Sequence, residues 1–183
     1  GSGGNNTTGQ FNTALGRFAS SANQTGSQNT AVGSDALANN TASNNTGVGT
    51  FALISNTSGQ YNVAVGGNAL DANTTATNNT AVGYNSLTSN TTAGNNAAFG
   101  QSSLAANTTG TQNTGLGSKA LQSNTTASNN TAVGYAAAQQ TTTGTNNTAL
   151  GRASLIVNTT GSDNTAVGMN SLAENTSGSS NTA

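Results

Sequence analysis

The side chains that could do chemistry in this chain are amides and hydroxyls, and they recur at fixed spacing. Asn23, Asn56, Asn73, Asn90, Asn107, Asn124, Asn158 and Asn175 each open an Asn-X-Ser/Thr triplet, the acceptor pattern for an N-linked sugar. Asn40 and Thr141 occupy the same column without forming a triplet. Two readings of the column stand side by side. One is a row of solvated turns in which each amide bonds its own backbone. The other is a row of glycans at ~4.8 Å spacing along one edge, a carbohydrate coat. Thr pairs beside these amides, such as Thr74 and Thr75, offer hydroxyls for O-linked sugar, and triplets at Asn44, Asn78, Asn129 and Asn146 are lesser candidates. Covalent glycans are therefore the expected modification, with no cofactor.

Catalytic and metal chemistry have little to work with. The chain has no His and no Cys, and Asp35, Asp71, Asp163 and Glu174 each fall at a different place in the repeat. Paired carboxylates need a shared site and a metal needs converging ligands, so neither a catalytic nor a metal site is expected. The many Ser and Thr hydroxyls have no base to activate them. Arg17, Lys119 and Arg152 are equally scattered, which leaves no basic patch for nucleic acid. No apolar run approaches the ~20 residues of a membrane span. The expectation is a protein that is not an enzyme, binds no nucleic acid and does not insert in a membrane.

The elements that position these side chains follow from a period. Asn12, Asn29, Asn45, Asn62, Asn79, Asn96, Asn113, Asn130, Asn147, Asn164 and Asn181 lie 17 residues apart, with one interval of 16. The full unit reads Asn-Thr-Ala-Val-Gly, two variable residues, Ala-Leu, two variable residues, Asn-Thr-Thr-Gly and two more, as in the run from Asn113 to Asn129. A period this short means that each unit buries apolar surface only against its neighbours, so the chain grows along one axis. A leucine-rich repeat needs at least about 20 residues per unit and is excluded. Few large apolar residues are present, but only three basic and four acidic residues accompany them, which is not the charge balance of a disordered chain. Residues 1–183 thus read as a single all-β array, a β-solenoid or β-roll of about ten 17-residue coils. Both ends of the sequence fall inside a unit and no capping unit is visible, so the reading is of a segment of a longer protein or of an array whose open ends continue into a fibre.

Within the unit, alternation along Asn-Thr-Ala-Val-Gly puts Thr and Val on one side of a strand and Asn, Ala and Gly on the other. The Val column, from Leu15 through Val65, Phe99 and Leu116 to Val167, is always apolar. Phe99 is accompanied by the smaller Ala97 in place of Thr, a pattern of interior packing compensation. A second apolar column, Leu37, Leu53, Leu70, Leu87, Leu104, Leu121, Leu155 and Leu172, supplies a facing layer, so two short strands per coil are expected. The Gly that ends each motif marks a turn needing positive φ or close backbone approach. The Asn that starts each motif is never followed by an acceptor triplet, and its column reads as an internal ladder of stacked amides. The short unit between Gly33 and Gly49 predicts a local irregularity without functional meaning.

Asn79 to Gly83 and Asn130 to Gly134 carry the motif Asn-Thr-Ala-Val-Gly, which resembles the head repeats of trimeric autotransporter adhesins and related bacterial surface and phage tail-fibre repeats. The resemblance spans the whole chain, although the adhesin-head unit is shorter than 17 residues and neither a coiled-coil stalk nor a membrane anchor is present. It implies an extracellular or cell-surface β-solenoid that associates as identical chains, in a fibre or homotrimer. The leading expectation is a structural component of an extracellular fibre with glycan-bearing turns, its chains joined through small-residue faces. A second is the shaft or head segment of an adhesin or tail fibre whose host or surface ligand is bound by domains outside this segment. A third is an ice-binding solenoid using the Thr after the turn Asn, which a glycan row would obstruct.

Overall fold

The computed structural model describes residues 1–183, and its regular elements are all strands. Ten three-residue strands, β1 (Thr13–Leu15), β2 (Thr30–Val32), β3 (Thr46–Val48), β4 (Val63–Val65), β5 (Thr80–Val82), β6 (Ala97–Phe99), β7 (Thr114–Leu116), β8 (Thr131–Val133), β9 (Thr148–Leu150) and β10 (Thr165–Val167), form one parallel sheet in chain order. Equivalent residues pair from coil to coil, as in Thr114 with Thr131 and Leu116 with Val133. The chain is therefore a β-solenoid built on the 17-residue period.

Only one strand forms per coil, which corrects the expectation of two. The Leu column lies in a turn, with left-handed backbone at Leu37, Leu53, Leu70 and Leu121 among others (φ 52, 54, 52 and 51°). The turn alternates its donors. Ala19, Ser21 and Asn23 donate N–H to Gly16, Phe18 and Ser20 inside the coil, while Ser20 and Ala22 donate to Ala36 and Ala38 of the next coil. Each turn is thus closed on itself and joined to its neighbour, which a second strand would achieve only in the axial direction.

The same turn decides which strand residues are inside. Leu37, Leu53, Leu70, Leu87, Leu104, Leu121 and Leu155 are fully buried and face the middle residue of each strand, where Ala31, Ala64, Ala81, Ala98, Ala132, Ala149 and Ala166 are also fully buried. A Cβ added at Gly47 comes within 3.1 Å of Leu37 Cγ and of the Ala52 carbonyl, so the interior is already filled at alanine size. With the Ala and Leu columns inside, alternation sends the Thr and Val columns out. The Val column is therefore not interior: Val65, Phe99, Leu116 and Val167 are 36, 40, 46 and 58 % exposed. Phe99 and Ala97 are neighbours on the outer face, and no packing inside the coil connects them.

Apolar burial does not hold the coil alone. One buried Leu contributes about 2 kcal/mol, whereas each of the three left-handed non-glycine residues per coil costs about 1 kcal/mol or more. Hydrogen bonds along the axis must supply the balance. Of 117 backbone bonds only 18 lie within the strand ladder, so the turns carry most of the axial stitching. At the short unit, the register of β2 with β3 is unchanged (Thr30 with Thr46), and the missing residue is absorbed in the turn after Asn40, whose amide reaches Ala42, two residues on.

Candidate functional surfaces

Two columns of asparagine run through the interior. Along the strand-start column, each side-chain oxygen accepts the backbone N–H of the Asn one coil further on. Asn29 donates to Asn12, Asn62 to Asn45, Asn113 to Asn96 and Asn147 to Asn130, at 2.8–3.0 Å. Asn79, Asn96, Asn130, Asn164 and Asn181 make the same bond to the coil before, as does Asn45 to Asn29. The amide nitrogen donates to the carbonyl 14 residues later, Asn113 to Ala127 at 2.8 Å and Asn62 to Ala76 at 2.8 Å, and in several coils also to the Asn oxygen of the coil before, as Asn147 to Asn130 at 3.1 Å and Asn181 to Asn164 at 2.9 Å.

The turn column grips that same carbonyl. Asn124 donates to the Ala127 oxygen at 3.0 Å, Asn73 to Ala76 at 3.3 Å and Asn23 to Gly26 at 2.9 Å. Asn56, Asn90, Asn107, Asn158 and Asn175 repeat the contact three residues ahead. Both asparagines of a coil therefore converge on one backbone oxygen, so the amides join the strand to the turn as well as one coil to the next. The turn column also bonds along the axis, Asn124 to Asn107 at 2.7 Å and Asn73 to Asn56 at 2.8 Å.

This geometry corrects the assignment of the turn column to the solvent edge. Asn23, Asn56, Asn73, Asn90, Asn107, Asn124 and Asn158 are at most 1 % exposed, and Asn175, in the last full turn, is half-buried. The nitrogen that a glycan would occupy is already donating into the coil interior. A sugar at any of the seven fully buried positions would have to replace those bonds inside a space filled by neighbouring coils. The acceptor triplets arise because a buried Asn column happens to precede two hydroxyl columns.

The hydroxyl columns behave differently from one another. The first Thr after the turn Asn donates to the carbonyl of its counterpart in the next coil, as Thr57 to Thr74 at 3.0 Å and Thr108 to Thr125 at 3.0 Å. The second, including Thr75, Thr92, Thr109, Thr126, Thr143 and Thr160, is exposed. Charged residues do not converge. Asp35 accepts from Ser34 at 2.7 Å, Asp71 from Thr88 at 2.6 Å and Asp163 from Asn146 at 3.1 Å, each in its own part of the surface. No three His, Cys, Asp or Glu side chains come together in a way that could hold a metal ion.

One interior position breaks the amide pattern. Where Thr141 replaces Asn, the Asn124 oxygen and the Thr141 hydroxyl are both buried without a partner. The coil above continues normally, with Asn158 bonding Gly161 at 2.9 Å. The break was legible in the sequence as the one non-Asn residue of the turn column.

What remains as candidate functional surface is the outer face of the sheet, where a Thr column and an apolar column lie side by side along all ten strands. Reading the Val column as core had concealed it; the signal that could have found it is the alanine-sized middle residue of each strand, which fits inside only if its neighbours point out. No helix is long and apolar enough to cross a membrane. The chain matches no protein-family model, no curated protein and no solved structure.

Proposed function

We propose that the chain is a load-bearing structural segment of an extracellular fibre, a rod made of stacked coils. The observation that carries this reading is the direction of its hydrogen bonds. Backbone, both asparagine columns and the first threonine column all bond from one coil to the next. Pulling the rod apart at any level means breaking several such bonds together, and each buried group left unpaired costs about 1–3 kcal/mol. The strand motif's resemblance to adhesin-head and tail-fibre repeats fits an extracellular placement. At ~4.8 Å per coil, ten coils give a rod roughly 50 Å long.

The test is immunogold electron microscopy of intact source cells with antibodies raised against the folded chain. Labelling along fibres on unpermeabilised cells is the expected result. Label that reaches the protein only after permeabilisation, or that decorates compact bodies instead of fibres, would overturn the reading.

A further inference from the structure

We propose that the outer face of the ten-stranded sheet is a self-association surface, and that its occupant is the same face of a second copy of this chain. This rests on the reading of the chain as a structural rod and names the partner of that rod. The first observation is a column that stays apolar where the fold does not require it. The residue ending each strand is Val, Leu or Phe in all ten coils, yet it points away from the interior. Strand propensity accounts for Val there but not for Leu15, Leu116 and Leu150, which are 67, 46 and 37 % exposed.

The second observation is what surrounds the column. Its companion on the face is Thr in eight coils, with Val63 and Ala97 in the other two, and no charged residue occupies either column. Burying this face therefore desolvates no ion, and it offers no charge to select a partner of opposite sign. The third observation is its size. Ten strands ~4.8 Å apart and a stripe ~10 Å wide give about 500 Å² on one chain, or about 1,000 Å² over a pair. That puts the face among the largest patches a monomer leaves open, about 300–600 Å², which often mark a contact surface, and the pair reaches the ~1,000 Å² at which specific interfaces begin.

Periodicity selects the occupant. The apolar ridge repeats once per coil, so a partner that meets it at every coil must carry the same repeat. This chain does. A two-fold axis parallel to the rod sets the identical faces together with equivalent coils at the same level, which matches ridge spacing along the whole rod, and each added coil adds the same contact. The small-residue columns expected to join the chains are buried within the coil and take no part.

The experiment is sedimentation equilibrium of the full chain against the triple variant F99T/L116T/V133T, which keeps strand-compatible residues on an outward face. The wild type is expected at a multiple of 17.7 kDa, and the variant at the monomer mass, with association weakened by about a hundredfold. A wild type that stays monomeric, or a variant that associates as tightly, overturns the proposal. A second measurement does not depend on that variant. Because the chain has no Cys, T131C on the face and T126C on an exposed turn outside the two face columns each introduce a single thiol. Oxidation should cross-link T131C into dimers and leave T126C monomeric; equal cross-linking of both, or of neither, counts against the face. Small-angle scattering of the same samples separates the two readings, since loss of association with a rod profile retained touches only the interface, whereas a globular profile removes the rod itself.

Discussion

At the scale of single residues, the asparagines do what a hydrophobic core does in a larger protein. Asn113 offers its oxygen to the Asn130 backbone and its nitrogen to Ala127, so one side chain serves two coils. Thr141 shows what happens when an amide is missing, leaving the Asn124 oxygen and its own hydroxyl buried and unpaired. Replacing it by Asn, T141N, supplies a nitrogen for the Asn124 oxygen and another donor to the turn carbonyl. The variant should be more stable by about 1–3 kcal/mol, read as a shift in the midpoint of chemical denaturation. An unchanged or lower midpoint would mean that the vacancy is relieved in some other way. Glycine at the strand end answers to a different constraint. Gly117 has φ 139°, and a Cβ there would lie 2.5 Å from the Gly134 carbonyl oxygen of the next coil. G117A is therefore expected to cost about 3 kcal/mol or more, combining backbone strain with steric displacement of a stacked neighbour. A loss of under ~1 kcal/mol in thermal or chemical unfolding would show that the coils separate there without difficulty.

At the scale of the coil, the strand was legible and the turn was not. Asn-Thr-Ala-Val-Gly has the alternation and terminal Gly of a short strand, and the ten strands fall on it. The Leu column carries no comparable mark, because Leu has no preference for left-handed backbone; it adopts φ near 50° since only from that turn does its side chain fill the coil. The error about faces followed directly. Comparing Val with Ala by apolarity alone puts Val inside, whereas the coil is too narrow to hold both Leu and Val and the smaller residue takes the place opposite Leu. The turn Asn column was misplaced for a related reason. An Asn before two hydroxyls looks the same in a solvated turn and in a buried one, and only the shared carbonyl partner tells them apart. The left-handed position ahead of the Ala-Leu pair is a usable test of this account. Asn68, Asn85 and Asn170 occupy it in some coils, but Lys119 holds it at φ 62° in another. Asn tolerates that conformation better than Lys, so K119N should stabilise the rod by about 0.5–1 kcal/mol without touching the interior. Thermal unfolding would check it, and a destabilisation of that size would mean that the Lys119 side chain contributes more than its backbone costs.

At the scale of the whole molecule, stability should be a sum over coils. Strands pair only with the strands before and after them, and the long-range order of the chain is a repetition of one neighbour relation. The natural 16-residue unit already shows which changes of length the rod accepts, since its missing residue is lost from a turn while β2 and β3 keep register. Removing the entire coil Asn113–Asn129 brings Gln112 directly before Asn130, which restores every column in phase. That deletion should leave a folded rod shorter by ~4.8 Å with a modestly lower unfolding midpoint. Removing only the first half of the same coil puts turn residues where the strand must be and exposes the buried amides on both sides. The half-coil deletion is expected to unfold the adjacent coils and lower the midpoint severely. Circular dichroism with small-angle scattering on the two variants decides the matter. If the whole-coil deletion were as damaging as the half-coil one, coupling would have to reach beyond nearest neighbours, and the rod would be one cooperative body whose length could not vary coil by coil. If the two separate as expected, a solenoid of this kind can change length by whole repeats while every surviving coil keeps the contacts it had.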